Sequence, residues 1–457
     1  MKTILKAIPW LLLLSVLSGC SYHTYTKTII LPDQSQSSVP EDSDSGDSWE
    51  LKKMYQYQYT STNFSGNLDG LSSTVGWSGD DYTLYTLDGA PEEEVVVYKV
   101  DIRYGFYEQC SSLGVLYYNH MQISPDGKYV LYDAINPETG KLLLYLHTVS
   151  EQTTREIMEF PNPSPYLELN FTWTKNGSCF FFWFEPDYRK LEMSEYKAEV
   201  FEEFFKTILS DEGLPLTQLS VYDITSEQKT CLLSVDPATF LSEDDFLLSP
   251  FCRTVIPNAD GSRALILQGN DYLPYTYEKS SQIIIPADIE LFDSYGIFPE
   301  DFTYIGITDH NIYARSLIDN TLLFLTGTGN NLRLKDYMMS EAFSKDNVSI
   351  HAWEDFKSVL SNDEKHMITL EYGNSGESLV YLYDYHADSS TPQTLSGRTL
   401  LYQTPDNISE ISITPDDRHI ILKSQETTVR NSFVNEMELD EPMVSTLFRY
   451  TIVVLEL

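Results

Sequence analysis

"ISPDGKYVLY", Ile123 to Tyr132, is the stretch on which the fold turns. A short apolar approach ends in Ser-Pro-Asp-Gly-Lys, and a β-prone run follows at once. Pro125 presets φ for a turn, Asp126 can bond to backbone two residues on, and Gly127 accepts a positive φ. Tyr, Val and Leu on the flanks suit a pleated, half-buried surface. Alone, this is one β-hairpin. A periodic set of such hairpins would name an architecture.

The hairpin recurs in degraded form. "ISITPDDRHIILK" (Ile411–Lys423) keeps the turn, with Asp416 after the Pro and Asp417 in the Gly position. "NFTWTKNGSCFFFW" (Asn170–Trp183) turns on Asn176 and Gly177, and "TVIPNADGSRALIL" (Thr254–Leu267) on Asp260 and Gly261. Weaker copies begin at Val75, Tyr304 and Lys357. The turn centres Asp80, Asp126, Asn176, Asp260, Asp309, Asp363 and Asp416 are spaced by 46, 50, 84, 49, 54 and 53 residues. Five of these six intervals lie near fifty, enough for four short antiparallel strands. The long one contains "PDYRKLEMSEYKAEVFEEFFKTILSDEG", where Met193, Tyr196, Val200, Phe204 and Ile208 recur at helical spacing. This predicts an inserted amphipathic helix over about 189–210.

Repeats of this length, each a small sheet unable to bury both faces alone, predict an all-β chain in which sheets stack around an axis. The Ser-Pro-Asp-Gly turn followed by a β run resembles the WD40-like repeats of TolB-type β-propellers. "SPDGKYVLY" and "TPDDRHIILK" carry the resemblance best, and "TWTKNGSCFF" keeps the Trp that often precedes the turn. The expectation is a propeller over residues 51–457, of seven four-stranded blades, with six or eight as alternatives. "MYQYQYTST" (Met54–Thr62) and "RYTIVVLEL" (Arg449–Leu457) are expected to share the closing blade.

Residues 1–19 read as a signal peptide. Lys2 and Lys6 precede an apolar run from Ala7 to Leu17, and Leu17-Ser18-Gly19-Cys20 resembles the lipobox of bacterial lipoproteins. That resemblance implies cleavage before Cys20, acylation there, and a lipid anchor at the extracytoplasmic face of a bacterial membrane. Residues 20–50, with "LPDQSQSSVPEDSDSGDS", are too polar to order themselves and read as a flexible tether.

The chain has 30 basic and 68 acidic residues, a formal charge of −38, and loss of Lys2 and Lys6 with the signal leaves −40. Such a polyanion excludes nucleic acid as a partner and stands off anionic lipid. Cys110, Cys179, Cys231 and Cys252 form no CxxC pair and have no His at zinc spacing. Two disulfides are one reading; small core residues are the preferred one, Cys179 in "SCFFFWF" above all.

The sequence contains no GxSxG, HExxH or Gly-rich phosphate loop. Propeller-bearing prolyl-oligopeptidase-type hydrolases would also need a catalytic domain beyond the last repeat. "DSDSGDSW" (Asp42–Trp49) approaches a sialidase Asp-box but occurs once, in the tether. It also fails as a calcium loop, lacking Glu at the twelfth position. No cofactor, metal or catalytic residue is expected. The function expected is non-enzymatic binding or scaffolding of protein or cell-envelope components. The helix of Tyr196, Val200, Phe204 and Ile208 is a candidate docking element, unless it simply packs on its own blade. The alternative is a glycan-binding propeller or glycosidase-like enzyme working at the channel mouth. Convergent carboxylates and aromatics there would favour sugar; a plugged channel with an apolar outer patch would favour protein docking.

Overall fold

The computed structural model describes residues 28–30, 51–61, 75–78, 82–88, 94–104, 106–116, 118–136, 141–160, 167–186, 217–235, 252–268, 273–280, 283–286, 302–307, 311–316, 322–326, 333–338, 357–362, 366–373, 376–384, 399–431 and 444–457. Every regular element among them is a β-strand. The strands form six four-stranded antiparallel sheets and one sheet of five.

Blade 1 comprises Val75–Ser78, Thr83–Asp88, Glu94–Asp101 and Phe106–Val115. Blade 2 comprises Tyr118–Ile123, Tyr129–Ile135, Leu142–Thr148 and Thr153–Phe160. Blade 3 comprises Leu167–Trp173, Cys179–Pro186, Thr217–Asp223 and Gln228–Val235. Blade 4 runs from Cys252–Pro257 to Ile283–Pro286, blade 5 from Phe302–Ile307 to Arg333–Met338, and blade 6 from Lys357–Leu360 to Thr399–Thr404. Within each, strands pair in chain order.

The fifth-strand exception closes the ring. Its order is Thr28–Ile30, Lys53–Ser61, Val444–Glu456, His419–Asn431, Ile408–Ile413. Lys53 pairs with Glu456 and Ser61 with Phe448, so both ends of the chain share one sheet. The expectation of seven four-stranded blades is therefore corrected: six sheets have four strands, and the closing sheet has five. The extra strand, Thr28–Ile30, lies in the segment expected as tether and pairs with Met54–Gln56. Its Thr-Ile-Ile sequence is β-prone, and an outer strand offers open backbone groups to such a segment.

The cores lie between sheets. Ile420 and Leu422 pack with blade 6 residues such as Ile368 and Leu370, while Ile421 between them packs with Trp77 and Leu84 of blade 1. In blade 3, Phe180, Phe182 and Phe184 join Leu144 and Leu146 of blade 2, whereas Phe181 and Trp183 join Ile266 and Tyr277 of blade 4. Successive side chains point to opposite faces, so a run apolar at every position is what two buried faces require. Each such side chain contributes about 1.5–3 kcal/mol on burial.

First strands of consecutive sheets touch from blade 2 round to Ile408–Ile413 of the closing sheet, which places them innermost. The turns between first and second strands consequently gather on one face around the axis, here called the turn face. The expected helix belongs to the residues joining the second and third strands of blade 3; Tyr196, Val200, Phe204 and Ile208 lie outside the described residues, as does Cys20.

Among the cysteines, Cys179 is buried and free, as a core residue should be. Cys110 is half-buried and Cys231 exposed, both free, so the core reading does not extend to Cys231. Cys231 sits on an outermost strand, which faces solvent on one side. No helix among the described residues is long and apolar enough to cross a membrane.

Candidate functional site: the turn face and its aromatic rim

The recurring turn is one hydrogen-bond circuit with different side chains. In blade 2, Ser124 Oγ donates to Asp126 Oδ1 (2.7 Å), which also accepts the Lys128 N–H (3.2 Å). The Tyr129 N–H donates to Ser124 Oγ (2.9 Å), and Gly127 sits at φ +73°. In blade 3, Thr174, Asn176 and Gly177 (φ +69°) repeat this, the Ser178 N–H reaching Asn176 Oδ1 at 2.9 Å. In blade 4 Asn258 replaces the hydroxyl, Asp260 Oδ1 takes the Ser262 N–H (2.9 Å), and Gly261 is at φ +74°. In the closing sheet Thr414 and Asp416 serve, with Asp417 at φ +57°. Of the predicted turn centres, Asp126, Asn176, Asp260 and Asp416 each hold a turn through a side-chain oxygen, and Asp80, Asp309 and Asp363 lie outside the described residues.

Neighbouring turns lean on one another. The Trp77 N–H donates to Pro125 O (2.7 Å), and the Asn176 N–H to Ala259 O (3.1 Å). The Asn362 N–H donates to Asp417 Oδ1 (2.8 Å), and Asn362 Nδ2 to Pro415 O (3.0 Å). Gly76 is needed because a Cβ there would lie 2.7 Å from Gly127 Cα.

Across this ring runs one side chain that sequence reasoning passed over. Lys175, in the turn of blade 3, donates through Nζ to Leu360 O at the end of the innermost strand of blade 6 (2.7 Å). Burial pushes its pKa down to about 8, against the pull of Asp417. Its surface is half-buried, with the ammonium end turned to the Leu360 carbonyl. In the sequence it is one residue of a polar "TKNGS" turn; only the ring brings it within reach of a sheet three places on.

Asp416 lies in the turn of the closing sheet, next to the Asp417 that acts on Lys175. Burial opposes its charge, but His419, Thr414 Oγ1 and the Arg418 N–H outweigh that and hold its carboxyl well below the usual carboxylate range. The His419 Nδ1 contact is 3.9 Å, electrostatic and too long for a hydrogen bond.

From His419 an aromatic series leads outward. Its ring lies 4.9 Å from Trp77 and 5.8 Å from Tyr82, and Tyr82 is edge-on to Tyr55 at 6.2 Å. The Arg103 guanidinium lies 5.1 Å from the Tyr82 ring centre and 5.4 Å from that of Tyr104. Arg103 is fixed by a pair of bonds to Asp101, 3.3 Å from Nε and 3.0 Å from Nη2. The series ends in solvent at Tyr104, 64% exposed, and the outermost strand of blade 1 opens with two further exposed aromatics, Phe106 at 76% and Tyr107 at 41%. They dominate the exposed large apolar side chains of the described residues.

Two arrangements resemble chemistry and are structural. Ser111 Oγ and His147 Nε2 are 2.7 Å apart, with Thr154 Oγ1 at 2.9 Å from Nδ1. Both Ser111 and His147 are buried between blades 1 and 2, where no substrate reaches, and burial lowers the His147 pKa. Lys423 is buried beside Glu410, Asp88 and the Tyr450 ring, its pKa pushed down to about 8 by desolvation. The described residues contain no cluster of His, Cys, Asp and Glu able to hold a metal.

Strand order, inter-sheet cores and the ring of innermost strands define the class: the chain is a β-propeller. No family model matches the sequence, and no curated protein does. Among solved structures, it is similar to the β-propeller domain of Cps50 (Swd1) from Myceliophteria thermophila, with 11% identity, TM-score 0.42, and 85% of this chain and 98% of that one covered. It is similar to TolB from Acinetobacter baumannii, with 12% identity, TM-score 0.34 and coverage of 81% and 78%. It is also similar to the propeller domain of the trilobed protease from Pyrococcus furiosus, with 9% identity, TM-score 0.41 and coverage of 77% and 90%.

Proposed function

We propose that this chain is a membrane-anchored, extracytoplasmic binding or scaffolding propeller, without a catalytic role, that engages protein or cell-envelope components. The exposed aromatic rim of blade 1 carries the reading. Tyr104, Phe106 and Tyr107 are exposed within four residues of chain, and such a concentration of exposed aromatics is the mark of a surface that meets a partner. The anchor rests on Leu17-Ser18-Gly19-Cys20, and no nucleic acid is expected of so acidic a chain.

The test is fractionation followed by cross-linking in native membranes. Wild-type chain is expected in the membrane fraction, cross-linked to a defined protein, and Cys20→Ser in the soluble extracytoplasmic fraction. A variant lacking residues 189–210 reports on the expected helix, since capture lost in that variant assigns docking to it. Glycan recognition is the second reading, because exposed tyrosines beside the Arg103–Asp101 pair could also stack on sugar rings. A specific glycan-array signal with no cross-linked protein would replace the binding reading by that one.

A further inference from the structure

Blade 1 ends in a strand whose outer edge differs from that of blade 2. Natural sheets blunt such edges with charge. Blade 2 does so along Thr153–Phe160, where Arg155 pairs with Glu227 and Glu159 with Lys141. Blade 1 presents Phe106, Tyr107, Glu108 and Gln109 instead, all exposed. Among the described strands, Phe106–Val115 pairs only with Glu94–Asp101. Blade 2 covers the strand further on, where Gln152 Nε2 reaches Cys110 O (3.5 Å) and Ser111 meets His147. The open length is therefore the aromatic one.

We propose that the Phe106–Gln109 edge, with Tyr104, docks an extended cationic segment of a protein partner, which adds a strand to blade 1 and lays Lys or Arg side chains over the rings. This rests on the binding reading above and names its surface and the chemistry of its partner. Edge pairing supplies main-chain hydrogen bonds to any extended chain, and side chains at alternate positions supply the choice. Exposed Tyr and Phe faces attract ammonium and guanidinium groups. Arg103, already held between Tyr82 and Tyr104, shows that contact within the chain itself. The net charge of −38 decides the occupant. It draws a basic segment in and repels a second copy of this chain. Behind Tyr104, Arg103 is held by Asp101 and lies on Tyr82, which packs in turn on Trp77 and His419.

Full-length chain in detergent would be titrated, by fluorescence anisotropy, with three nine-residue probes: an alternating Lys–Val peptide, its Glu–Val counterpart, and the Lys–Val peptide N-methylated at every second residue. The Lys–Val peptide is expected to bind at least about tenfold more tightly than either of the others. The double variant Tyr104→Thr, Phe106→Thr is expected to weaken it by about the same factor, with circular dichroism and Tm unchanged. Threonine keeps the strand while removing the rings. Equal binding of the methylated and unmethylated peptides would reduce the effect to general attraction by a polyanion and overturn the proposal. So would an unaffected double variant, or no binding at all. A protein cross-linked in membranes alongside such a failure would move docking elsewhere and leave the binding reading standing; a glycan signal in its place would remove both.

Discussion

Gly127 holds φ +73° with the Tyr85 ring lying directly over its α-carbon. A Cβ there would fall 2.1 Å from Tyr85 Cδ2, so the residue is excluded twice, by backbone and by neighbour. Gly177 has the same dihedral, but a Cβ would meet only the Asp126 carboxylate at 3.3 Å. Gly127→Ala is therefore expected to destabilise by roughly 2–4 kcal/mol, combining left-handed strain with overpacking. Gly177→Asn should stay within about 1 kcal/mol, since Asn tolerates that region and its amide can donate to Asp126. Urea unfolding of both variants checks this; equal losses would show that strain alone governs the turns. At this scale the sequence was most legible. Asp126, Asn176, Asp260 and Asp416 sit where turn chemistry puts them, because that chemistry is local. Lys175 was not legible, since a Lys beside Asn-Gly has no local sign that distinguishes a solvated side chain from one bonded across an axis.

Among the elements, the closing sheet is the decisive one. Met54, Tyr55 and Tyr57 are buried by Lys53–Ser61 docking on Val444–Glu456, a contribution of roughly 5–9 kcal/mol at about 1.5–3 kcal/mol each. That is comparable with the whole stability of a typical domain. A chain beginning at residue 51 retains these contacts and, among the described residues, loses only Thr28–Ile30, so its unfolding midpoint should scarcely move. A chain beginning at residue 62 should unfold at markedly lower urea, with a broader transition. If both truncations behave like the full chain, closure does not hold the ring. The pairing was readable from "MYQYQYTST" and the apolar C-terminal run, because strict alternation and two-faced burial both leave a pattern. Thr28–Ile30 was not, since three β-prone residues in a polar segment fall below any periodic signal. Nor was the exposure of Phe106: "GFYEQC" reads as a half-buried strand, and only its place at the outer end of blade 1 exposes it.

For the molecule as a whole, opposing titrations set the pH profile. Hydrogen bonds from Arg103 lower the pKa of Asp101, and the Ser226 N–H that of Asp223. Asp260 and Asp416 are lowered too, their hydrogen bonds prevailing over burial. These carboxylates stabilise the fold above their unfolded value of 3.8, and that contribution is lost as pH falls through their lower folded values. Relief of mutual repulsion among 68 acidic residues acts the other way on the approach from neutral pH. Lys175 and Lys423, at about 8 against 10.5 unfolded, bind fewer protons when folded, so stability rises between those values. Burial raises the pKa of the Cys179 thiol to about 11 and that of Cys110 as well, which opposes the gain above their unfolded value of 9.0. Tyr55 and Tyr132, raised by burial to about 12, add to the loss above the unfolded value of 10.0. The expected Tm profile holds or rises slightly from pH 7 toward 5, falls steeply below 4, climbs modestly from 8 to 9, levels and drops beyond 10. Thermal unfolding across that range tests it, and a profile flat between 8 and 9 would refute the assignment to the two lysines.

The sequence by itself determined the repeat, the turn at its centre, the two-sided burial of the strands and the joining of the chain's ends. All of these arise from neighbours a few residues apart or from alternation along one strand. The tertiary structure alone decided the five-stranded closure, the Lys175 bridge from blade 3 to blade 6, and the series from His419 through Tyr82 and Arg103 to Tyr104. Each brings together residues from separate repeats, and their proximity is set by the curvature of the ring, which no single repeat encodes.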